Sequence, residues 1–323
     1  MYAFLLSKEN LKLSIAEVLA LTNVKKYRID NNLLIIDIKS IKNLEKRLAQ
    51  TYRIYELLFE TTEKSLKNNL EKYDWSKICK KDFSLRIHSL NKPHNYSEAK
   101  LAGYIWRGLK NPKVNLTNAE TKIELLLGKK IYCCLLKAEI DKSFFERKAH
   151  LKPELMPTSL NPRLAKSLIN ILGVNKGETL LDPCCGSGGM LVEAGLMGIK
   201  TIGYDISEYV LNKARKNLDY YKNKNCKLIE GDALKIRQKY DYIIADLPFG
   251  MNSTLTMPLE KFYAEFVKKL SQILVKRAIV TFPNKFNYKR LIKKPLVIEY
   301  EFEIYLHKSL TKKIVVVKNE NNI

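Results

Sequence analysis

Hydrophobic and polar residues alternate with two different periods along the first part of the chain. A period of two predicts strands, and apolar positions three or four apart predict amphipathic helices. The first predicted elements are, in order, a strand at 2–6, a helix at 10–21, a strand at 33–38, a helix at 41–50 and a strand at 54–59. They are followed by a predicted helix at 63–73, a strand at 83–89, a helix at 97–109, and three strands near Val114, near Ile123 and at 131–137. This order is typical of an α+β module.

The pattern changes after Arg163, where strand, loop and helix repeat. Strands are predicted at 179–182, 201–205, 227–232, 240–246 and 277–282, with helical segments between them. Such alternation predicts a parallel sheet covered by helices on both faces. The last two predicted strands, 296–307 and 313–318, are separated by a polar turn at 308–312 and indicate an antiparallel hairpin that closes the sheet.

A proline-rich segment separates the two patterns. Pro153, Pro157 and Pro162 lie within residues 150–163, and proline disfavours helix at its own position and at the residue before it. We therefore predict a domain boundary here, with a linker at 151–163. A chain of 323 residues is long enough for two or three separate cores.

The chain is strongly basic, with 57 Lys and Arg against 34 Asp and Glu and a formal net charge of +23. This charge attracts polyanions, of which nucleic acid is the obvious one. A generally Lys-rich composition accounts for the charge equally well. Charge alone therefore leaves nucleic-acid binding open.

The cysteines and histidines do not indicate a metal site. The six cysteines contain no C-x-x-C pair and the four histidines form no H-x-x-x-H cluster, so no structural zinc is expected. We predict reduced thiols and a cytoplasmic protein. The N-terminal apolar run of five residues is too short for a signal peptide, and no stretch has the length needed to cross a bilayer.

The candidate chemistry begins at the loop Leu181-Asp182-Pro183-Cys184-Cys185-Gly186-Ser187-Gly188-Gly189. Glycines between a strand and a helix let the backbone approach a ligand closely. A dinucleotide-binding loop needs a third glycine where this chain has Leu191, and no G-x-x-x-x-G-K-[ST] sequence occurs. NAD binding and nucleotide triphosphate hydrolysis are therefore not favoured. We expect Cys184 and Cys185 to be packed thiols rather than nucleophiles.

Each of the first four predicted strands of the second half ends in an aspartate: Asp182, Asp205, Asp232 and Asp246. The carboxyl ends of parallel strands meet at one edge of a sheet, where ligands bind. Asp205 is placed to accept hydrogen bonds from ribose hydroxyls, and Asp232 to accept one from an adenine amino group. Acids at strand ends also cap loops and helices, and this is the alternative for each of them taken singly.

The segment Ala245-Asp246-Leu247-Pro248-Phe249-Gly250 resembles the [D/N/S]-P-P-[Y/F/W] signature of amino-group methyltransferases. An exocyclic base amine is a poor nucleophile because its lone pair is delocalised into the ring. Asp246 and the carbonyl of Leu247 or Pro248 can accept its two N–H bonds and direct the lone pair toward a methyl donor. Phe249 can stack on the base. Leu247 stands where the first proline is usual, so we expect a less rigid turn.

The resemblance extends over the whole chain. Residues 157–166, 188–198 and 249–253, together with the opening 3–10, are similar to the archaeal tRNA (guanine-10-N2)-methyltransferases. That family implies an α/β protein with a ferredoxin-like domain at 1–60, a THUMP RNA-binding domain at 61–150 and a Rossmann-fold methyltransferase domain at 164–323. It also implies S-adenosylmethionine as cofactor and the exocyclic N2 of guanine 10 in tRNA as methyl acceptor. The sequence leaves mono- and dimethylation open.

The resemblance also implies roles for individual residues. The implied catalytic residues are Asp246, Leu247, Pro248 and Phe249. The implied cofactor-binding residues are Asp182, Pro183, Cys185, Gly186, Ser187, Gly188, Asp205, Ile206, Asp232, Ala233 and Asp246. Candidate RNA contacts are Arg86, Lys100, Arg107 and Lys110, although a charged helix face is usually only solvated. The expected partner is tRNA, with no membrane; we expect a monomer and leave a small activating protein subunit open.

Several alternatives stay open at this point. A methyltransferase for tRNA guanine 6 or for ribosomal RNA shares this architecture and tolerates the D-L-P-F-G form of the motif. A DNA adenine methyltransferase leaves the N-terminal half unexplained. From other classes, an NAD-dependent oxidoreductase is disfavoured by the missing third glycine, and a catalytically silent RNA-binding protein is compatible with Leu247.

Overall fold

The computed structural model describes residues 1–91, 93–154, 160–249, 257–307 and 310–322. The chain forms two compact units, Met1–Asp141 and Lys142–Ile323, and each contains its own sheet. Within the described ranges, no helix combines the length and the apolar character that crossing a membrane requires.

The N-terminal unit is a mixed α and β structure. Its helices and strands in the described residues are β1 (Tyr2–Leu6), α1 (Leu11–Thr22), β2 (Tyr27–Asp30), β3 (Leu33–Ile36), α2 (Leu44–Arg47), β4 (Thr51–Thr61), α3 (Glu63–Lys72), β5 (Phe83–Ser89), α4 (Glu98–Arg107), β6 (Thr121–Leu127) and β7 (Ile131–Glu139). The strand order is β2-β3-β1-β4-β7-β6-β5, in which β5 and β6 are parallel and the other neighbours antiparallel. One sheet thus runs through both predicted N-terminal parts.

Three elements of this unit differ from the sequence-based prediction. The strand β2 is missing from the prediction because its first three residues are exposed, which leaves little apolar signal in the sequence. It pairs with β3 through a turn at Asn31, whose φ is 54°. The predicted strand near Val114 is only an isolated bridge to Phe83. The predicted helix at 41–50 is reduced to the four residues of α2.

The C-terminal unit is built on a second sheet. Its elements in the described residues are α5 (Pro162–Leu172), β8 (Thr179–Asp182), α6 (Gly189–Leu196), β9 (Lys200–Asp205), α7 (Glu208–Tyr220), β10 (Cys226–Glu230), β11 (Tyr240–Ala245), α8 (Leu259–Ile273), β12 (Leu274–Pro283), β13 (Leu296–His307) and β14 (Leu310–Asn319). The order is β10-β9-β8-β11-β12-β14-β13. The first five strands in this order are parallel, and β14 runs antiparallel to both β12 and β13. The predicted parallel sheet and antiparallel hairpin are confirmed.

The strand order determines where a ligand can bind. The chain runs outward from β8 to β9 and β10 in one direction, and to β11 and β12 in the other. Connections on opposite sides leave a crevice at the carboxyl ends of β8 and β11, which is where open α/β sheets bind ligands.

Some predicted boundaries in this unit are shifted. Lys312, predicted in the turn, lies in β14, and Asp232 and Asp246 come after the ends of β10 and β11. Pro162, predicted in the linker, begins α5, because proline is tolerated at the first position of a helix. Three of the predicted features fall partly outside the described residues. They are the linker at 155–159, the segment that resembles the tRNA methyltransferases at 250–253, and the turn at 308–309.

Candidate active site

The loop after β8 has a backbone that requires glycine. Gly186 has a φ of 52° and Gly188 a φ of 79°, in the left-handed region that other residues rarely adopt. A Cβ atom on Gly188 would also lie 3.3 Å from the Cβ of Ala214 on α7. The loop therefore passes close to α7, and α6 begins directly after it at Gly189.

The Asp205 carboxylate ties this loop to the end of β9. Its Oδ2 accepts a hydrogen bond from the Gly186 N–H at 3.1 Å, and its Oδ1 accepts one from the Ser207 N–H at 3.0 Å. Burial raises the pKa of Asp205, and these backbone hydrogen bonds act in the opposite direction. A carboxylate has about four lone-pair sites, so Asp205 retains capacity to bind a ligand.

A second anchor of the loop is Asn217 on α7, which is fully buried. Its Nδ2 donates to the carbonyl of Ser187 at 3.0 Å, and its Oδ1 accepts from the N–H of Glu154 at 3.0 Å. Sequence reasoning missed this residue. The available signal is an asparagine at a position that the helical period of Leu211, Ala214 and Leu218 assigns to the core.

Asp182 is the most buried acid of the site, with 2% of its surface exposed. Burial raises the pKa of its carboxyl well above the usual range, and the neighbouring charges of Asp246 and Asp205 raise it further. The N–H of Cys184 donates to Oδ1 at 3.1 Å and partly offsets this. Asp182 ends β8, whose neighbours in the sheet are β9, which ends at Asp205, and β11, which is followed by Asp246. The three acids therefore lie side by side at the crevice.

The two cysteines of the loop pack against neighbouring residues. A Cβ atom on Gly203 of β9 would lie 2.9 Å from the Cys185 Sγ and 2.5 Å from a methyl carbon of Leu191. Burial and the nearby acids raise the pKa of both Cys184 and Cys185 well above the usual thiol value. Cys185 belongs to a buried apolar cluster and Cys184 packs against another, as expected of packed thiols.

The remaining predicted cofactor residues occupy different environments. Asp232 caps the short 3-10 turn that follows β10, accepting from the Leu234 N–H at 2.9 Å, so the capping alternative holds for one of its oxygens. Ala233 and Pro183 are buried, whereas half of the Ile206 surface is exposed beside Asp205.

The Asp246 carboxylate, directly after β11, is held by side chains rather than by the backbone. The Lys312 Nζ donates to Oδ1 and to Oδ2, each at 2.7 Å, and the Thr281 hydroxyl donates to Oδ1 at 2.6 Å. The Lys312 side chain is 7% exposed and that of Asp246 18%. This is a buried ion pair between the end of β11 and the start of β14.

The rest of the 246–249 segment is fixed at three further points. The side chain of Leu247 is buried in the core between the sheet and α8. The carbonyl of Pro248 accepts a hydrogen bond from the Tyr263 hydroxyl of α8 at 2.7 Å. The Phe249 ring lies under the Lys312 ammonium, with 4.8 Å between Nζ and the ring centroid.

Sequence reasoning missed Thr281, Lys312 and Tyr263. Each is an unremarkable residue in its own element, and no local spacing relates it to Asp246. They meet because β12 and β14 are paired beside β11 and because α8 packs over them.

The candidate RNA contacts lie in the N-terminal unit. Lys100, Arg107 and Lys110 are exposed. Arg107 forms a 3.6 Å ion pair with Glu71, and its guanidinium lies 5.6 Å from the Tyr104 ring centroid.

Arg86 differs from these three residues because its guanidinium is already engaged. It donates to Glu98 at 2.9 Å and to the Leu116 carbonyl at 2.9 Å. Binding RNA through Arg86 would therefore compete with these contacts.

Comparison with known proteins identifies the class. A model of the RMKL-like methyltransferase domain matches residues 149–313, and a DNA methylase model matches residues 8–216, ending before Asp246. The chain is an S-adenosylmethionine-dependent methyltransferase.

Relatives narrow this class. The chain is 32% identical to the tRNA (guanine(10)-N2)-dimethyltransferase of Methanothermobacter thermautotrophicus, over 86% of this chain and 85% of that protein. It is 31% identical to the protein of the same name from Pyrococcus abyssi, over 84% of this chain and 85% of that one. Identity to the tRNA (guanine(6)-N2)-methyltransferase of Methanocaldococcus jannaschii is 25%, over 48% of this chain and 53% of that protein. The chain belongs to the RMKL-like methyltransferase family and, within it, to the family of archaeal tRNA (guanine(10)-N2)-dimethyltransferases.

Solved structures agree on the fold. TrmN from Thermus thermophilus has a TM-score of 0.55 at 16% identity, covering 98% of this chain and 99% of that one. SMU.472, complexed with SAH, has a TM-score of 0.52 at 14% identity, covering 98% and 97%. At these identities the likeness shows a shared fold.

Proposed function

We propose that this protein transfers methyl groups from S-adenosylmethionine to the exocyclic N2 of guanine 10 in tRNA. The observation that carries the proposal is the convergence of Asp182, Asp205 and Asp246 at the carboxyl ends of the neighbouring strands β8, β9 and β11. The names of its relatives support the substrate and support addition of up to two methyl groups.

The residues on the β8 and β9 side fit the cofactor. S-adenosylmethionine supplies an electrophilic methyl group on a positively charged sulfur. A cation bound there would favour the ionised form of the Asp182 carboxyl, and the lone pairs that Asp205 retains suit ribose hydroxyls. The N-terminus of α6 suits a carboxylate. The exposed half of Ile206 offers an apolar surface to adenine.

The 246–249 segment fits the acceptor. Asp246 accepts an N–H of the target amine and so favours a pyramidal nitrogen whose lone pair faces the methyl group. The backbone of Leu247 and Pro248 lies beside it, and Phe249 stacks on the base. The target base leaves its stack to reach this site, which costs a few kcal/mol that stacking and hydrogen bonds return.

Positioning supplies most of the rate. One charge-assisted hydrogen bond contributes about 1.5–3 kcal/mol, or roughly ten- to a hundredfold in rate when it forms only in the transition state. Alignment of amine and methyl group contributes up to about 7–11 kcal/mol. The residues that fix the position of Asp246 should therefore affect the rate as Asp246 itself does.

The N-terminal unit is proposed to select the tRNA. We assign residues 1–60 to a ferredoxin-like domain and 61–150 to a THUMP domain, followed by the linker at 151–163 and the catalytic domain at 164–323. Exposed Lys100, Arg107 and Lys110 are proposed phosphate contacts, with Arg86 as a weaker candidate. We further propose a cytoplasmic monomer whose activity can be tested with and without added protein subunits.

The test is methylation of tRNA transcripts with labelled cofactor, followed by nucleoside mass spectrometry. We expect N2-methylguanosine and N2,N2-dimethylguanosine from a transcript with guanine 10, and no product when that guanine is replaced by adenine. A matched transcript in which guanine 6 is replaced should remain a substrate. Product from the guanine-10 replacement at the unchanged rate contradicts the assignment.

Two rival substrates are tested by the same assay. Because one relative is named for guanine 6, guanine 6 is the second candidate acceptor. If guanine 6 is the acceptor, the transcript without guanine 6 gives no product and the transcript without guanine 10 remains a substrate. The DNA methylase match predicts methylation of duplex DNA, measured by incubating duplex DNA with labelled cofactor in place of tRNA. The relatives that are similar over most of the chain are named as tRNA methyltransferases, so we expect duplex DNA to receive no methyl groups.

A further inference from the structure

Lys312 lies on the same face of the sheet as the site. In the antiparallel pairing of β12 and β14, Lys312 is opposite Pro283, and Ile314 is opposite Thr281. Directly opposed residues project from the same face of a sheet, and alternate residues along one strand share a face. Lys312 and Thr281 therefore project together toward Asp246, whereas Lys313 projects from the opposite face.

From this geometry we propose that Lys312 is a positioning residue that fixes the acceptor side of the active site. Its ammonium contacts both oxygens of Asp246 and lies over the Phe249 ring, so one side chain holds both ends of the 246–249 segment. A proline at position 247 would restrain the backbone of this segment, and Lys312 restrains the segment in its place. The proposal rests on the proposed function only in taking a base amine as the acceptor.

The hydrogen bonds also indicate which oxygen binds the substrate. Each carboxylate oxygen has two lone pairs. Oδ1 accepts from both Lys312 and Thr281, and Oδ2 accepts from Lys312. The target amine therefore donates to Oδ2. The ammonium covers one face of the Phe249 ring, which assigns the base to the other face.

Charge gives Lys312 a second effect. Its ammonium is the cation paired with the Asp246 carboxylate, and both side chains are largely buried. Removing Lys312 would therefore leave a largely buried carboxylate without its partner.

Substitution of Lys312 tests the proposal. We expect Lys312→Met to lower kcat about ten- to a hundredfold, the effect of one charge-assisted hydrogen bond, while the Kd for S-adenosylmethionine changes less than about threefold. Lys312→Arg keeps the charge with altered geometry and should restore part of kcat. The matched control is Lys313→Met, which removes the same charge from the opposite face, where Lys313 pairs with Glu303. An unchanged kcat in Lys312→Met overturns the proposal.

A measurement without substrate separates this inference from the substrate assignment. Order parameters from NMR relaxation of the Leu247 and Phe249 amides should be lower in Lys312→Met than in Lys313→Met. Unchanged order parameters overturn the positioning role whichever RNA is the substrate. Absence of tRNA methylation by the wild-type protein, with lower order parameters in Lys312→Met, overturns the proposed function alone.

Thr281→Val provides a second variant if Lys312→Met does not fold. It removes the other hydrogen bond to Oδ1 and leaves the ion pair in place. We expect a smaller loss of kcat, about three- to tenfold, with no change in cofactor affinity. Equal losses of kcat and of cofactor affinity in this variant contradict a role confined to the acceptor side.

Discussion

The two sides of the candidate active site are held by different kinds of contact. On the cofactor side, Asp205 accepts hydrogen bonds from the backbone of Gly186 and Ser207, which lie 19 and 2 positions away in the sequence. On the acceptor side, Asp246 is held by the side chains of Thr281 and Lys312, which lie 35 and 66 positions away.

Substitutions should therefore affect the two sides of the site differently. Backbone N–H groups remain after most substitutions of the donor residue, so the cofactor side depends mainly on the acceptor carboxylates, on glycine conformation and on one side-chain donor, Asn217. Side-chain donors are lost with a single substitution. We therefore expect the acceptor side to be the more easily damaged of the two.

The largest expected effect is that of Asp246→Ala. Turnover should fall at least about tenfold while S-adenosylmethionine and tRNA still bind, because the lost hydrogen bond acts in the transition state. Lys312 is left as an unpaired buried charge, which lowers the free energy of unfolding by about 3–5 kcal/mol. Single-turnover kinetics and calorimetry measure both. Asp241→Ala is the control, since Asp241 forms an ion pair with Lys276 at the surface. Wild-type turnover in Asp246→Ala would remove Asp246 from the mechanism.

Next in size is the effect of Asp205→Ala on the cofactor side. Loss of the ribose acceptor and of the loop anchor should weaken S-adenosylmethionine binding about tenfold, with turnover at saturating cofactor nearly unchanged. Isothermal calorimetry measures the affinity, and Asp219→Ala on the exposed face of α7 is the matched control. A fall in turnover at unchanged affinity would mean that the two sides are not separable.

A pH dependence follows from the raised pKa of Asp182. Because the pKa of Asp182 is higher in the folded than in the unfolded protein, the folded protein keeps this proton at pH values where the unfolded chain has lost it. The free energy of unfolding is therefore highest below the unfolded-state pKa and falls as pH rises through the folded-state pKa. The slope approaches about 1.4 kcal/mol per pH unit at most. Thermal unfolding at several pH values should show this slope in the wild type and lose it in Asp182→Asn. Because a bound cation favours the ionised carboxyl, saturating S-adenosylmethionine should flatten the slope, and an unaffected slope would place the cofactor elsewhere.

The smallest expected effect is that of Tyr263→Phe. It removes the hydroxyl that donates to the Pro248 carbonyl, a neutral hydrogen bond of about 0.5–1.5 kcal/mol. We expect a two- to tenfold fall in turnover with cofactor affinity unchanged. Tyr220→Phe, at an exposed position, is the control. A fall in cofactor affinity in Tyr263→Phe would mean that the segment at 246–249 also contributes to binding S-adenosylmethionine.

The sequence by itself determined the features that are encoded locally. Apolar periodicity gave most strands of both sheets, and the glycines at 186 and 188 occur where φ is positive. Because the carboxyl ends of parallel strands meet at one edge, the aspartates at the ends of the predicted strands were enough to predict that Asp182, Asp205 and Asp246 lie at that edge.

Only the tertiary structure decided which residues hold Asp246. Lys312 was predicted in a polar turn and lies in β14, and its contact with Asp246 depends on β14 being inserted between β12 and β13. No local pattern encodes such an insertion, because it results from the pairing of strands far apart in the chain. The same limit applies to β2. Its exposed residues carry little apolar signal in the sequence, and it becomes a strand because it pairs with β3.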